Sequence, residues 1–430
     1  MRLAYSSSLT ANEALSNTAV VTALRVGVWM VAMVLGAAVL GSGRPVRAQD
    51  EPASAEPLVE VHAFVSQGFA LSTENNYLTA RSQDGSFEFT EAALNFTKAL
   101  GDDFRIGMQL FTRKLGPEDD YVPQFDWYYL DYRIADWLGV RAGRTKIPFG
   151  LYNESNDIDA ARVPVLLPQS IYPDHHRELL LAQNGGEIYG NISLGVAGVI
   201  DYRAYGGTFS LGSSGSTPPN PNVTITDAEV SYIAGARLMW LTPLDGLSAA
   251  VSAQSLRYEI ETTFKPEITQ VLIAGGIAPA DYDGKIRLAF PITLWVASLE
   301  YTFQDLSVSM EYGRWWADLR SSVPTLIPSG GPLNERFYVM ASYRVAPFFV
   351  PGIYAASYFE DVHARNEPGK FQHDIALTLR FDLTSNWLVK LESHLIRGTA
   401  LLQSNLNDHK ELKDLEASWG LFLVKTTAYF

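Results

Sequence analysis

The stretch with the densest chemistry lies between positions 146 and 183. It sets Glu154, Asp157, Asp159, Asp174 and Glu178 against Arg162 and Arg177. A second set of bases is spread along the chain, each sharing the parity of polar neighbours in its own segment: Arg105, Arg113, Arg133, Arg141, Arg203, Arg237, Arg336, Arg344, Arg380 and Lys390. Acids of the same parity (Glu91, Asp131, Asp201, Glu311, Glu360, Asp374, Asp382 and Glu392) nearly balance them. Acids facing bases across a water-filled gap create a transverse field, which orients dipolar solutes and penalises apolar ones. For any single arginine the plainer account is a solvated charge paired with its neighbour and worth little. As a set they read as a charged lining.

Other chemistry is poorly supported. His175 and His176 are adjacent, so on an extended chain their rings point apart and chelate badly. A Ser–His or Asp–His pair at the rim of a barrel could use His175, His363 or His409, but the spacing singles out none of them. Asp119 with Asp120, and Asp281 with Asp283, could hold Ca²⁺ weakly, although acidic loops are usually just solvated. Cysteine is absent, which removes disulfides, Cys-ligated zinc and a thiol nucleophile. With 33 Lys+Arg against 47 Asp+Glu, a nucleic-acid partner is not expected. Neither a metal nor a cofactor is expected, and enzymatic activity is the lesser alternative.

Strands must position these residues. In 104–113, Phe104, Ile106, Met108 and Leu110 share one parity, and Arg105, Gly107, Gln109 and Arg113 the other. In 371–382, Phe371, Ile375, Leu377, Leu379 and Phe381 alternate with Gln372, Asp374, Thr378, Arg380 and Asp382. Successive strand side chains point to opposite faces, so one face meets something apolar and the other something wet. Sixteen such runs can be counted between 59 and 430. Their links alternate between short (101–102, 135–136, 191–192, 242–246, 304, 346–347, 384–385) and long (71–87, 114–124, 146–183, 206–228, 258–285, 317–334, 362–369, 398–412). A membrane barrel has short turns on its periplasmic side and long loops outside, whereas a soluble sandwich has no reason for that asymmetry. Aromatics near the strand ends (Trp127, Tyr128, Trp137, Tyr202, Trp240, Tyr301, Phe303, Trp315, Trp316, Phe348, Phe349 and Trp387) fit girdles at the headgroup level. The expected fold is therefore all-β: a closed antiparallel transmembrane barrel of about sixteen strands.

The N-terminus bears on export. Val26 to Gly43 is uncharged and mostly apolar, flanked by Arg25 and Arg44, and Val46-Arg47-Ala48 follows. This reads as a signal peptide over 1–48, cut after Ala48, with 49–58 a short periplasmic lead-in and 59–430 the barrel. A spanning helix is the alternative, since about 18 apolar residues approaches the minimum. Gly36, Ala37 and Ala38 soften the core and favour the signal.

Phe430 at the end of the last strand, the sixteen-strand count and the run Gly139-Val140-Arg141-Ala142-Gly143-Arg144-Thr145-Lys146-Ile147-Pro148-Phe149-Gly150-Leu151 carry a family resemblance. The chain resembles the Gram-negative trimeric porins, loosely including the phosphate-selective group. The resemblance implies a homotrimer in the bacterial outer membrane. It also implies a third long loop, here 146–183, folded into the lumen, and passive diffusion of small hydrophilic solutes and ions. No Lys- or Arg-rich run occupies that loop, a departure that bears on the alternative of a phosphate- or other anion-selective channel. The loop's apolar centre (Val163, Pro164, Val165, Leu166, Leu167, Pro168, Ile171 and Tyr172) would be costly on an outer surface, so packing against the wall is expected, with Glu154, Asp157 and Asp159 at the narrow point. Arg144 shares the parity of Leu138, Val140 and Ala142, which would aim it at lipid, so it is expected at a subunit interface, after a bulge or above the membrane.

Overall fold

A computed structural model describes residues 59–116, 120–174, 177–209 and 223–430; the side chain of Glu178 lies outside this description. The expected signal peptide, the lead-in, His175, His176 and Asp119 also lie outside it.

Alternation gives way to pairing in the simplest order. The strands are β1 (Glu60–Ser72), β2 (Phe89–Ala99), β3 (Phe104–Leu115), β4 (Gln124–Ala135), β5 (Leu138–Lys146), β6 (Ala182–Ser193), β7 (Val199–Thr208) and β8 (Val223–Leu241). They continue as β9 (Leu247–Phe264), β10 (Lys285–Phe303), β11 (Leu306–Ala317), the two-residue β12 (Arg320–Ser321), β13 (Leu333–Tyr343), β14 (Phe349–Phe359), β15 (Phe371–Thr384), β16 (Trp387–Gly398) and β17 (Ser418–Tyr429). Every long strand pairs antiparallel with its sequence neighbours, and β17 pairs with β1, so sixteen strands close on themselves. Two backbone hydrogen bonds between Ala63 and Phe430, of 3.1 and 3.0 Å, extend the seam. Closure leaves no edge of unpaired N–H and C=O groups, which hydrocarbon would not tolerate.

The burial pattern inverts that of a soluble protein. On β16, Lys390, Glu392 and His394 are covered, while Leu395 on the opposite parity is 74% exposed. On β15, Asp374 and Thr378 are covered, and Ile375 and Leu377 are exposed. Charged groups are almost never buried in water-soluble proteins unless paired, so here the exposed apolar face is the one that lipid would cover. Trp137, Trp240, Phe303, Tyr343, Phe348 and Trp387 stand exposed at the short-link end of the barrel. Trp127 and Trp315 depart from the girdle expectation. Trp315 is buried under Arg336, and Trp127 stacks on Tyr129.

Three boundaries differ from the alternation. The turn expected at 191–192 lies at 194–198, where Gly195 and Gly198 take positive φ and the Leu194 N–H bonds the Gly198 carbonyl at 2.8 Å. The ends of the expected loops 206–228 and 258–285 are strand, over 206–208, 223–228 and 258–264. The β8–β9 hairpin continues past the barrel rim, absorbing register shifts at Ile225/Asp227 and Val230/Tyr232. Beyond it, helix α1 (Pro266–Ala274) helps cover a small apolar cluster around Ala278, Tyr282 and Ile286. Finally β17 starts at Ser418 rather than 413, because 412–414 is a 3₁₀ turn.

Candidate functional site

The long link after β5 begins with a sharp turn. Gly150 has φ +61°, and a Cβ there would lie 2.5 Å from the Tyr172 hydroxyl and 2.7 Å from Glu311 Oε1, so only glycine fits without strain. The turn presents N–H groups to the wall. Leu151 N–H donates to Glu311 Oε1 at 3.0 Å, and Gly150 N–H donates to Ser252 Oγ at 3.1 Å. Glu311, on β11, also accepts from Ser298 at 2.5 Å, from Tyr338 at 2.9 Å and from Tyr172. A buried carboxylate is thus satisfied by hydroxyls and a backbone amide, as burial requires.

The apolar centre packs as two clusters. Leu167, Ile171 and Tyr172 join Ile147, Phe149, Val296, Trp315 and Tyr338, while Val165 and Leu166 join Phe89, Ile396, Trp419 and Leu421. Burying each such side chain stabilises by about 1.5–3 kcal/mol, which offsets part of the entropy lost in ordering the segment.

Between these clusters the acids meet the wall. Asp159 is fully covered. Its carboxylate lies 3.0 Å from Lys390 Nζ, 3.5 Å from Lys425 Nζ and 3.7 Å from Arg162, and it accepts from Thr427 at 2.6 Å. Burial pushes its carboxyl up, but Lys390, Lys425 and Arg162 outweigh that and hold it well below the usual carboxylate range. Lys390 also donates to the carbonyls of Asp159 (2.7 Å), Arg162 (2.9 Å) and Pro164 (3.3 Å). Glu392 accepts from Val165 N–H at 2.7 Å and Leu166 N–H at 3.0 Å, with Nε2 of His394 at 3.0 Å behind it. Arg380 reaches the Ala160 and Arg162 carbonyls, and Arg336 the Ser170 carbonyl. Asp157 is buried against Lys146 and accepts from Gln109 at 2.6 Å. Its carboxyl too is held low, burial being outweighed by Lys146 and Arg177.

The expected residues therefore divide. Asp157 and Asp159 are buried on bases instead of standing at an open narrow point. Asp174 lies 3.5 Å from Arg113 and Arg177 lies 3.2 Å from Asp126, so both are also engaged. Among the described acids of the segment, Glu154 alone joins a partly open row. Along β3 to β8 that row reads Arg105–Asp131 (2.7 Å), Asp131–Arg141 (3.3 Å), Arg141–Glu187 (3.4 Å) and Glu187–Arg203 (3.7 Å). It continues through Arg203–Glu154, Glu154–Arg237 (3.0 Å) and Arg237–Asp201 (3.5 Å). Signs alternate along it. Arg133 and Arg344, by contrast, stay exposed at the short-link end, beside Asp136 and Asp382.

Sequence reasoning missed Asp126, Lys146, Glu187 and Lys425. Lys425 shares the parity of buried Trp419, Leu421 and Leu423, and following that row would have found it. Asp126 sits at the register shift opposite Gln109/Leu110, where parity no longer tells the face. Arg144 Nε donates to the Asp126 carbonyl at 2.9 Å. Of the expected histidine candidates, His363 and His409 lie in links, and no metal-holding group of His, Asp or Glu occurs among the described residues.

No protein-family model matches the chain, and no curated protein matches it in sequence. Solved structures do. The outer-membrane expressed OmpT of Vibrio cholerae is 12% identical with TM-score 0.53, covering 87% of this chain and 99% of that one. The anion-selective porin from Comamonas acidovorans is 14% identical with TM-score 0.53, covering 86% and 99%. OmpF of Salmonella typhi, solved with daunomycin, is 11% identical with TM-score 0.52, covering 86% and 97%. The chain has the barrel fold of Gram-negative outer-membrane porins and channels. At such identities the likeness speaks for the fold.

Proposed function

We propose that this chain is an outer-membrane channel through which small hydrophilic solutes and ions diffuse passively, exported by a signal peptide cut after Ala48 and assembled as a homotrimer. The covered, charged face of the strands is the inner wall on this reading, and the link 147–181 lies within the lumen. The observation that carries it is the set of ties from that one link to β3, β8, β11, β13, β15, β16 and β17. A segment bound to side chains on all sides of a closed barrel is most simply inside it, where its backbone and charges find partners. Glu154 then lines the constriction opposite the inward bases, and Asp157, Asp159, Arg162, Asp174 and Arg177 anchor the segment that forms it. Because signs alternate along the open row, ion preference is slight. Planar-bilayer recording in a KCl gradient tests this. Stepwise conductance with a cation-to-anion permeability ratio within a few-fold of one is expected; absence of steps would sink the channel reading. A strongly anion-selective pore with a saturable phosphate site would favour the alternative.

A further inference from the structure

Glu154 differs from the buried acids of its segment, Asp157 and Asp159. Asp159 has no exposed side-chain surface, whereas Glu154 keeps 29%. Its two oxygens are split between two strands: Oε1 accepts from Arg203 on β7 and Oε2 from Arg237 on β8. That is how two guanidinium groups hold a carboxylate belonging to another molecule. Nor do the arginines use all their donors. Arg203 Nε and Arg237 Nε are buried without a hydrogen-bond partner, and Arg237 is itself more than nine-tenths covered. A guanidinium offers five N–H donors, and the terminal nitrogens that hold Glu154 are the ones an exchanged carboxylate would meet.

Charge points the same way. Arg105, Arg141, Arg203 and Arg237 are matched one for one by Asp131, Glu187, Glu154 and Asp201. If Glu154 swings away, the row is left one negative charge short, which a monoanion restores. The turn bearing Glu154 is braced separately, since Asn153 Nδ2 donates to the Ile147 and Leu180 carbonyls at 2.8 and 2.5 Å. Glu154 can therefore move without the segment undocking. An incoming carboxylate takes over the same two guanidinium partners, so exchange replaces one charged contact with another of the same kind.

From this arrangement we infer that Arg203 and Arg237 form a binding site for the carboxylate of a passing solute, and that Glu154 is a tethered occupant competing for it. The inference rests on the channel reading for its physiological meaning but not for its test. A tethered competitor acts at millimolar or higher effective concentration, so it weakens capture of dilute carboxylates and lets concentrated ones through. A bound solute is then displaced by Glu154, which prevents the site from trapping it.

The test is acetate binding to the purified chain in detergent micelles, followed by titration with ¹³C-acetate. Glu154→Gln keeps the size and removes the competing charge, and it should bind acetate at least about tenfold more tightly than the parent. The gain should vanish in Glu154→Gln combined with Arg237→Gln. In bilayers, acetate should reduce KCl current through Glu154→Gln at correspondingly lower concentration. Equal acetate affinity in parent and Glu154→Gln would overturn the proposal, as would a gain that survives loss of Arg237. Inorganic phosphate binding Glu154→Gln more tightly than acetate would overturn the carboxylate assignment. If no KCl steps are seen, the channel reading fails, while the micelle titration still decides this one.

Discussion

Replacing Lys390 with Met asks how firmly the charged anchor holds the long segment. The ammonium has three protons and spends them on four acceptors: the Asp159 carboxylate and the carbonyls of Asp159, Arg162 and Pro164. Methionine fills nearly the same volume but donates nothing. Asp159 would keep Lys425, Arg162 and Thr427, so it is not left as an isolated buried charge. Its loss is a weakened cluster, while three carbonyls lose their donor. Breaking a buried charged contact costs about 3–5 kcal/mol. Retained partners argue for the lower end. About 3 kcal/mol corresponds to roughly a hundredfold shift in the docked population. Native-state amide exchange reads this directly, because Val165 and Leu166 N–H groups are protected only while they bond Glu392. Exchange at those two amides should accelerate about a hundredfold in Lys390→Met, with β8–β9 amides unchanged. Acceleration below about threefold would refute the reasoning and assign the docking to the apolar clusters alone.

Other expectations follow from the same geometry. Gly150→Ala forces a side chain into positive φ against Tyr172 and Glu311; it should cost about 1–3 kcal/mol, seen as faster exchange at Leu151 and Tyr152. Deleting 155–175 should leave a folded, heat-modifiable barrel with single-channel conductance raised several-fold, because strand pairing does not involve that segment; unchanged conductance would remove it from the lumen. Mass spectrometry of the protein from outer membranes should find a mature terminus at Gln49, and an intact Met1 would reject the signal reading. Cysteine labelling of intact cells should reach 320–332 but not Gly101 or Asp245, and labelling at Gly101 would invert the topology.

The barrel was legible because lipid on one face and charge on the other imposes a period of two on every strand, and sixteen weak signals add up. Parity reads directly where the ladders are regular: Arg113, Arg237, Arg336 and Lys390 are each buried in one. It failed at Asp126, where one bulge resets the count. What alternation cannot give is partnership. Asp159 and Lys390 are 231 residues apart, and no local pattern says that one will end on the other. For that reason Asp157 and Asp159 were legible as acids of the right segment but not as buried anchors.

Burial then decides what each acid of the segment can do. A carboxylate with no exposed surface and three cations around it, as at Asp159, is costly to uncover and serves to fix the chain. The same group at Glu154, partly wet and split between two arginines, gives up little when a solute replaces it. Both kinds are needed. On the proposed channel reading, the buried anchors keep the opening constant, and an exchangeable charge keeps the arginine row from holding an anion more tightly than a diffusive pathway tolerates. Conduction demands sites that bind well enough to admit a solute and weakly enough to release it. Asp159→Asn and Glu154→Gln separate the two roles: the first should loosen Val165 and Leu166 amides with acetate affinity unchanged, the second the reverse. Both effects appearing in either variant alone would mean that anchoring and solute contact are a single function.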